Sequence, residues 1–220
     1  MNIEKARFNM IEQQIRTWDV LDPAVLETLV EVKREAFVPA AYKSLAFVDT
    51  EIPLPGGENM FSPKMEARIL QEVAPRKDED VLEIGAGSGY MAALLASKAR
   101  HVTTVEIDPA LRDLAAKNLS GYGVTNVDVV QGDGARGWND PGRQTPWDVI
   151  VISGSLPLLP EAFLKQIKVG GRVFSIIGTS PVMSAQITTR VGENAWDTVK
   201  IFETDVKPLR NAQAPSRFSF

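Results

Sequence analysis

Hydrophobic and polar positions change rhythm twice along the 220-residue chain. In the first 35 residues the apolar positions fall three or four apart. Phe8, Ile11, Ile15 and Trp18 mark one face of a helix. A second helix is predicted from Asp22-Pro23, an N-cap followed by a proline whose missing N–H costs nothing in a first turn. Val25, Leu26, Leu29 and Val30 form its apolar face. Residues 37–63 break the period with Pro39, Pro53, Pro55, Gly56, Gly57 and Pro63. They read as a long structured loop, with at most a short helix around 40–46. A loop of that length inside a compact domain is usually functional. Residues 63–74 are helical again.

From residue 79 the period shortens. DVLEI, HVTTVEI, VDVVQGD, WDVIVIS and GRVFSII are short β-rich runs, and helical stretches at 90–98, 109–119 and 160–167 separate several of them. Strands alternating with helices predict a Rossmann-like α/β fold, a mostly parallel sheet covered on both faces. After residue 181 two further strands, 184–191 and 197–206, flank Gly192-Glu193-Asn194 and predict a C-terminal antiparallel hairpin. The expected organisation is an N-terminal helical and loop segment, 1–78, packed on an α/β domain, 79–220, as one compact unit.

Composition narrows the function. The chain is 44% hydrophobic and 24% charged, ordinary for a globular protein. Its net charge of −4 argues against a protein that coats nucleic acid. It has no cysteine and one histidine, His101. Disulfides and thiolate metal sites are excluded, no metal is expected, and a histidine-based triad has little to draw on. The polar opening residues lack a signal-peptide pattern, and no apolar run approaches the ~20 residues of a membrane span. A cytoplasmic protein without membrane or nucleic-acid partners is the expectation. His101 reads as an exposed strand residue, and Trp138, Trp147 and Trp196 as packing residues. The tail Pro215-Ser216-Arg217-Phe218 either folds back over the site or frays.

The candidate chemistry lies at predicted strand ends. Val81-Leu82-Glu83-Ile84-Gly85-Ala86-Gly87-Ser88-Gly89 stands at a strand-to-helix junction, where glycines permit a tight turn and close approach of a ligand to the backbone. The spacing Gly85, Gly87, Gly89 is G-x-G-x-G, not the G-x-G-x-x-G that seats a pyrophosphate on a helix N-terminus. Glu83, two residues before the first glycine, would repel a pyrophosphate and suits a cation. S-adenosyl-L-methionine has no phosphate and carries an ammonium and a sulfonium. Glu106, at the end of the second strand of this region, is placed to accept from both ribose hydroxyls. Asp133, after the third, is placed to accept from the adenine amino group. The three acids in this order point to S-adenosyl-L-methionine and its product, S-adenosyl-L-homocysteine, and away from NAD.

VLEIGAGSGY, VEID, GDG, WDVIVIS and IKVGGR resemble the motifs of class I S-adenosylmethionine methyltransferases over about residues 79–177. The flanks narrow the likeness. MIEQQIRTWDVLDPAVLETLVEVKREAFVP, AFVDTEIPLPGGENMFSP and IFETDVKPL resemble the N-terminal region, the substrate loop and the closing strand of protein-L-isoaspartate O-methyltransferases. That resemblance implies methyl transfer to the isoaspartyl carboxylate of damaged proteins or peptides, and hence protein repair. It implies Ser62 as a donor to the acceptor carboxylate, with Asn59, Met60 and Phe61 completing the substrate loop. Where the family carries Gly-Gln-Thr-Ile-Ser-Gln-Pro, this chain has Glu58-Asn59-Met60-Phe61-Ser62-Pro63-Lys64. The serine is kept, but Met60 replaces a hydroxyl with an apolar side chain. Two other readings stand beside this one: methyl transfer to a different acceptor, and a non-catalytic protein that binds S-adenosylmethionine. Oligomeric state is not legible.

Overall fold

The computed structural model describes residues 2–140, 142 and 146–213; the tail sequence Pro215–Phe218 lies outside them. The elements in chain order are α1 (Ile3–Met10), α2 (Pro23–Glu31), β1 (Ile52–Pro53), β2 (Asn59–Met60), α3 (Pro63–Val73), β3 (Asp80–Ile84), α4 (Tyr90–Ala96), β4 (His101–Glu106), α5 (Pro109–Tyr122), β5 (Val127–Gln131), β6 (Trp147–Leu156), α6 (Glu161–Gln166), β7 (Ile167–Thr179), β8 (Val182–Gly192) and β9 (Ala195–Thr204). Seven strands form one sheet in the order β5-β4-β3-β6-β7-β8-β9. β3 to β7 pair in parallel. β7-β8 and β8-β9 are antiparallel. The predicted hairpin is therefore the outer half of a three-strand meander.

Local chemistry sets the element ends. Asp22 caps α2 by accepting from the Ala24 N–H at 2.8 Å. Asp108 caps α5 by accepting from the Ala110 N–H at 2.9 Å, and Gly123 ends that helix at φ 85°. Both helices begin with a proline, Pro23 as expected and Pro109 besides. β3 is buried along its whole length, as suits a central parallel strand.

Two apolar stripes were only partly read. After Met10, residues Ile11–Ile15 form a π turn, which rotates the face away from α-helical register. Met10, Ile11 and Ile15 enter the core, while Phe8 is 63% exposed. In α2, Thr28 is buried, donating its hydroxyl to Ala24 O, and Val30 lies outside. The long loop is more ordered than its prolines suggested. It contains 3₁₀ turns at Arg34–Ala36 and Ala40–Leu45, and β1 pairs with β2. Of the tryptophans, Trp147 is buried in the core and Trp196 donates its ring N–H to Leu164 O.

The N-terminal segment is docked on the sheet domain by named contacts. The Tyr122 hydroxyl donates to Glu31 O at 2.7 Å and accepts from the Lys33 N–H at 2.9 Å. Tyr90 donates to Val32 O, and Trp18 packs against Phe202 in a tilted pair with ring centroids 4.7 Å apart. Among the described residues, no helix is long and apolar enough to cross a membrane.

Candidate active site

The chain runs from β3 outward to β4 and β5, then returns to place β6 on the other side of β3. Such a reversal leaves a crevice beyond the strand ends, the usual ligand position in open α/β sheets. Here it is a groove open to solvent. Gly85, Gly87, Glu106, Gly132, Asp133 and Ser153 line its floor, and Glu58, Asn59, Phe61 and Arg210 its rim.

Gly85, Gly87 and Gly89 have φ of 97°, 53° and 84°, in the left-handed region that side chains disfavour. A Cβ on Gly85 would also lie 3.1 Å from Ser153 O. The turn is tied to the neighbouring strand by the Gly85 N–H, which donates to Val105 O at 2.8 Å. Glu106 is 5% exposed. Its carboxylate accepts from the Gly87 N–H at 2.9 Å and the Asp108 N–H at 3.0 Å. The carboxylate thus fastens the glycine turn to the start of α5 and keeps lone pairs for the groove. Asp133 is exposed at the far end, accepting from the Asn211 side-chain amide at 2.9 Å.

Glu83 sits beneath this floor. It is fully buried and lines a smaller recess beside the groove, with Met60, Phe61, Glu66 and Ser153. Thr104 Oγ1 donates to it at 2.7 Å and Ser153 Oγ at 3.0 Å. Burial pushes the Glu83 carboxyl up to about 8, against the pull of those two hydroxyls. Glu66 is pushed up to about 7 by burial, against the Arg34 guanidinium. The expectation of a carboxylate poised by the turn meets an acid that favours its proton near pH 7.

The substrate-loop residues divide. Asn59 and Phe61 line both groove and recess. Met60 is 4% exposed and joins the core as well as the recess. Ser62 lines neither. Its carbonyl accepts from the Met65 and Glu66 N–H groups at the start of α3, and its hydroxyl makes no capping bond. Buried Arg34 holds the loop from below, donating to Phe61 O at 2.5 Å, Ala46 O at 2.8 Å and Glu66 at 2.8 Å. His101 is at the opposite end of β4, bonded to Asp128. Among the described residues, no three of His, Asp and Glu are grouped to hold a metal ion.

Sequence reasoning missed the strap. The closing strand was expected to run to residue 206, but β9 ends at Thr204. The chain leaves the sheet there and crosses to the groove. The Ser155 N–H donates to Lys207 O at 3.0 Å and the Leu209 N–H to Ser155 O at 2.9 Å. Leu209 lies over Gly154, where a Cβ would come within 2.7 Å of its Cδ2. IFETDVKPL reads as a closing strand; nothing local in it gives the course of the chain after Thr204.

A mostly parallel sheet with this strand order, a glycine turn at its reversal and an antiparallel end is the fold of the class I methyltransferases. Within that class, the chain belongs to the protein-L-isoaspartate(D-aspartate) O-methyltransferase family, whose model matches residues 5–205. It is 41% identical over 194 residues to protein-L-isoaspartate O-methyltransferase 1 of Rhodopseudomonas palustris strain HaA2, covering 88% of this chain and 77% of that one. It is 35% identical over 210 residues to the Koribacter versatilis protein-L-isoaspartate O-methyltransferase, covering 96% and 93%. A solved protein-L-isoaspartate O-methyltransferase superposes with TM-score 0.77 at 27% identity, covering 94% of this chain and 65% of that one, so the chain spans just under two thirds of its length. A Plasmodium falciparum structure described as a putative family member in complex with S-adenosyl-L-homocysteine shares the fold, with TM-score 0.79 at 17% identity over 96% of this chain and 99% of that one.

Proposed function

We propose that this chain transfers a methyl group from S-adenosyl-L-methionine to the isoaspartyl carboxylate of damaged proteins or peptides, the first step of their repair. The observation that carries the proposal is one groove that brings the glycine turn, Glu106 and Asp133 against the loop in which the family resemblance places the acceptor. When bound, the cofactor supplies an electrophilic methyl on sulfur. Every other requirement falls on the chain.

The donor set fits that cofactor. Glu106 accepts from the ribose hydroxyls with the lone pairs that Gly87 and Asp108 leave free. Asp133 accepts from the adenine amino group, in place of Asn211. Gly85, Gly87 and Gly89 let the backbone approach the methionyl part, and Glu83 beneath them gives up its proton when a cation lies above. Nothing in the floor would attract a pyrophosphate. An isoaspartyl carboxylate is ionised near pH 7, so no general base is needed, in keeping with the distance of His101 from the groove. Catalysis reduces to holding the carboxylate in line and replacing its water. Ser62 stands outside the groove lining with its hydroxyl uncommitted to a helix cap; it would donate to a carboxylate held at the entrance that Asn59, Met60 and Phe61 shape.

The test is methyl transfer to an isoaspartyl peptide beside its aspartyl twin, with Ser62→Ala in parallel. Methylation of the isoaspartyl peptide alone is expected. Ser62→Ala should lower turnover about a hundred- to a thousandfold, the usual loss when one donor to an oxyanion is removed, with cofactor affinity unchanged. No transfer at saturating cofactor, or equal transfer to both peptides, overturns the assignment of the acceptor.

A further inference from the structure

Side chains of the strap reach across the groove to three separate segments. Arg210 Nε donates to Glu58 Oε1 at 2.7 Å, Nη1 to Asp108 Oδ2 at 3.0 Å and Nη2 to Gly56 O at 3.3 Å. Lys207 adds a pair to Glu58 Oε2 at 3.1 Å and a hydrogen bond to Gly57 O. Asn211 covers Asp133 at 2.9 Å. One guanidinium therefore joins the turn Gly56–Glu58, which leads into the acceptor loop, to Asp108. Asp108 in turn donates its N–H to Glu106.

We propose that Arg210 is a positioning residue for methyl transfer: it locks the acceptor loop and the ribose-side turn to the strap, so that the acceptor-competent loop and the covered cofactor groove are one closed arrangement. The proposal rests on the reading of the groove given above and adds a residue and a coupling to it. An exposed ion pair contributes little by itself, and Arg210 is 38% exposed. Two features lift this cluster above a surface pair. Its partners belong to loops distant in sequence, and one guanidinium hydrogen-bonds to both. The guanidinium also lies flush on Gly56, at φ 71°, where a Cβ would stand 2.9 Å from Arg210 Nη2 and 3.1 Å from Asp108 Oδ2. A side chain there would wedge the clamp apart.

Loosening the clamp lowers the population of the closed arrangement, and apparent affinity falls by that fraction while the saturated complex reacts as before. Arg210→Ala should therefore raise KM for the isoaspartyl peptide about three- to tenfold and leave kcat within about twofold. Dissociation of S-adenosylhomocysteine, followed by stopped-flow fluorescence, should quicken by a similar factor. The wild-type KM should rise with salt, because half-exposed charges are screened, and that dependence should shrink in Arg210→Ala. Arg210→Lys, able to keep one pair, should recover part of the loss. Gly56→Ala should reproduce the effect from the other side. A fall in kcat at constant KM, an unchanged dissociation rate, or a loss that tracks a lowered Tm overturns the proposal. If the wild type fails to methylate the peptide, the assigned function fails instead, and the dissociation rate alone decides the role of Arg210.

Discussion

The floor and the rim of the groove are built from different parts of the chain. On the floor, Gly85 donates to Val105 O, and Glu106 gathers the Gly87 and Asp108 N–H groups. These are main-chain donors at adjacent strand ends, fixed once β3 and β4 pair in register. On the rim, Arg210 meets Glu58 across 152 positions of sequence, and Asn211 meets Asp133 across 78. These contacts are side chain to side chain and exposed. A main-chain floor is rigid and insensitive to salt. A rim of long charged side chains is adjustable and screened by it. Binding and release of a ligand on a stiff floor then depend on movement of the rim.

The contrast breaks first at Gly85. Gly85→Val puts a β-branched residue at φ 97° beside Ser153 O. We expect cofactor affinity in calorimetry to fall about a hundredfold or more, on the order of 3 kcal/mol. Affinity within a few-fold of wild type would show that the floor does not depend on bare backbone. Next comes Glu106→Ala. It should weaken cofactor binding by about 1.5–3 kcal/mol. With both carboxylate oxygens holding N–H groups, it should also lower stability by about 1–3 kcal/mol. A variant with full affinity would remove Glu106 from the ribose.

The last effect is expected beneath the floor and is read in stability rather than in affinity. Glu83 has its carboxyl raised from 4.5 to about 8 by burial. Between those values the folded chain keeps a proton that the unfolded chain has lost. Stability conferred on the protonated form is therefore full below about pH 4.5 and declines as pH rises towards about 8. Glu83→Gln cannot ionise and should flatten its share of that decline in denaturant titrations. The variant should gain on wild type as pH increases and differ least in acid. A parallel decline in both proteins would mean that Glu83 is already ionised in the folded state.

Legibility followed the same division. The sheet, the glycine turn and the order Glu83, Glu106, Asp133 were readable because each is set by a local rule: period, φ requirement, strand end. Phe8 was misplaced because a π turn shifts the register after Met10, and a π turn has no clear sequence signature. The positions of Glu106 and Asp133 in the groove were anticipated, but not that Asn211 already occupies Asp133. The burial of Glu83 beneath the turn was invisible too, because a strand's alternation does not say which acid faces a ligand and which faces its own sheet. Arg210 in PLRNAQ looks like any tail cation; its partners exist only once the sheet has closed.

The docking of the first 35 residues carries a consequence for the order in which the protein is made. Their holdfasts are Tyr90 and Tyr122, from α4 and α5, and Phe202, from the last strand. All three follow this segment in the chain, so it is synthesised before the surface that receives it. Until they are in place the apolar side chains of Ile11, Ile15 and Leu29 have no surface to receive them, so this segment precedes the sheet in the chain and is completed after it, with its apolar face open to misassociation in the interval.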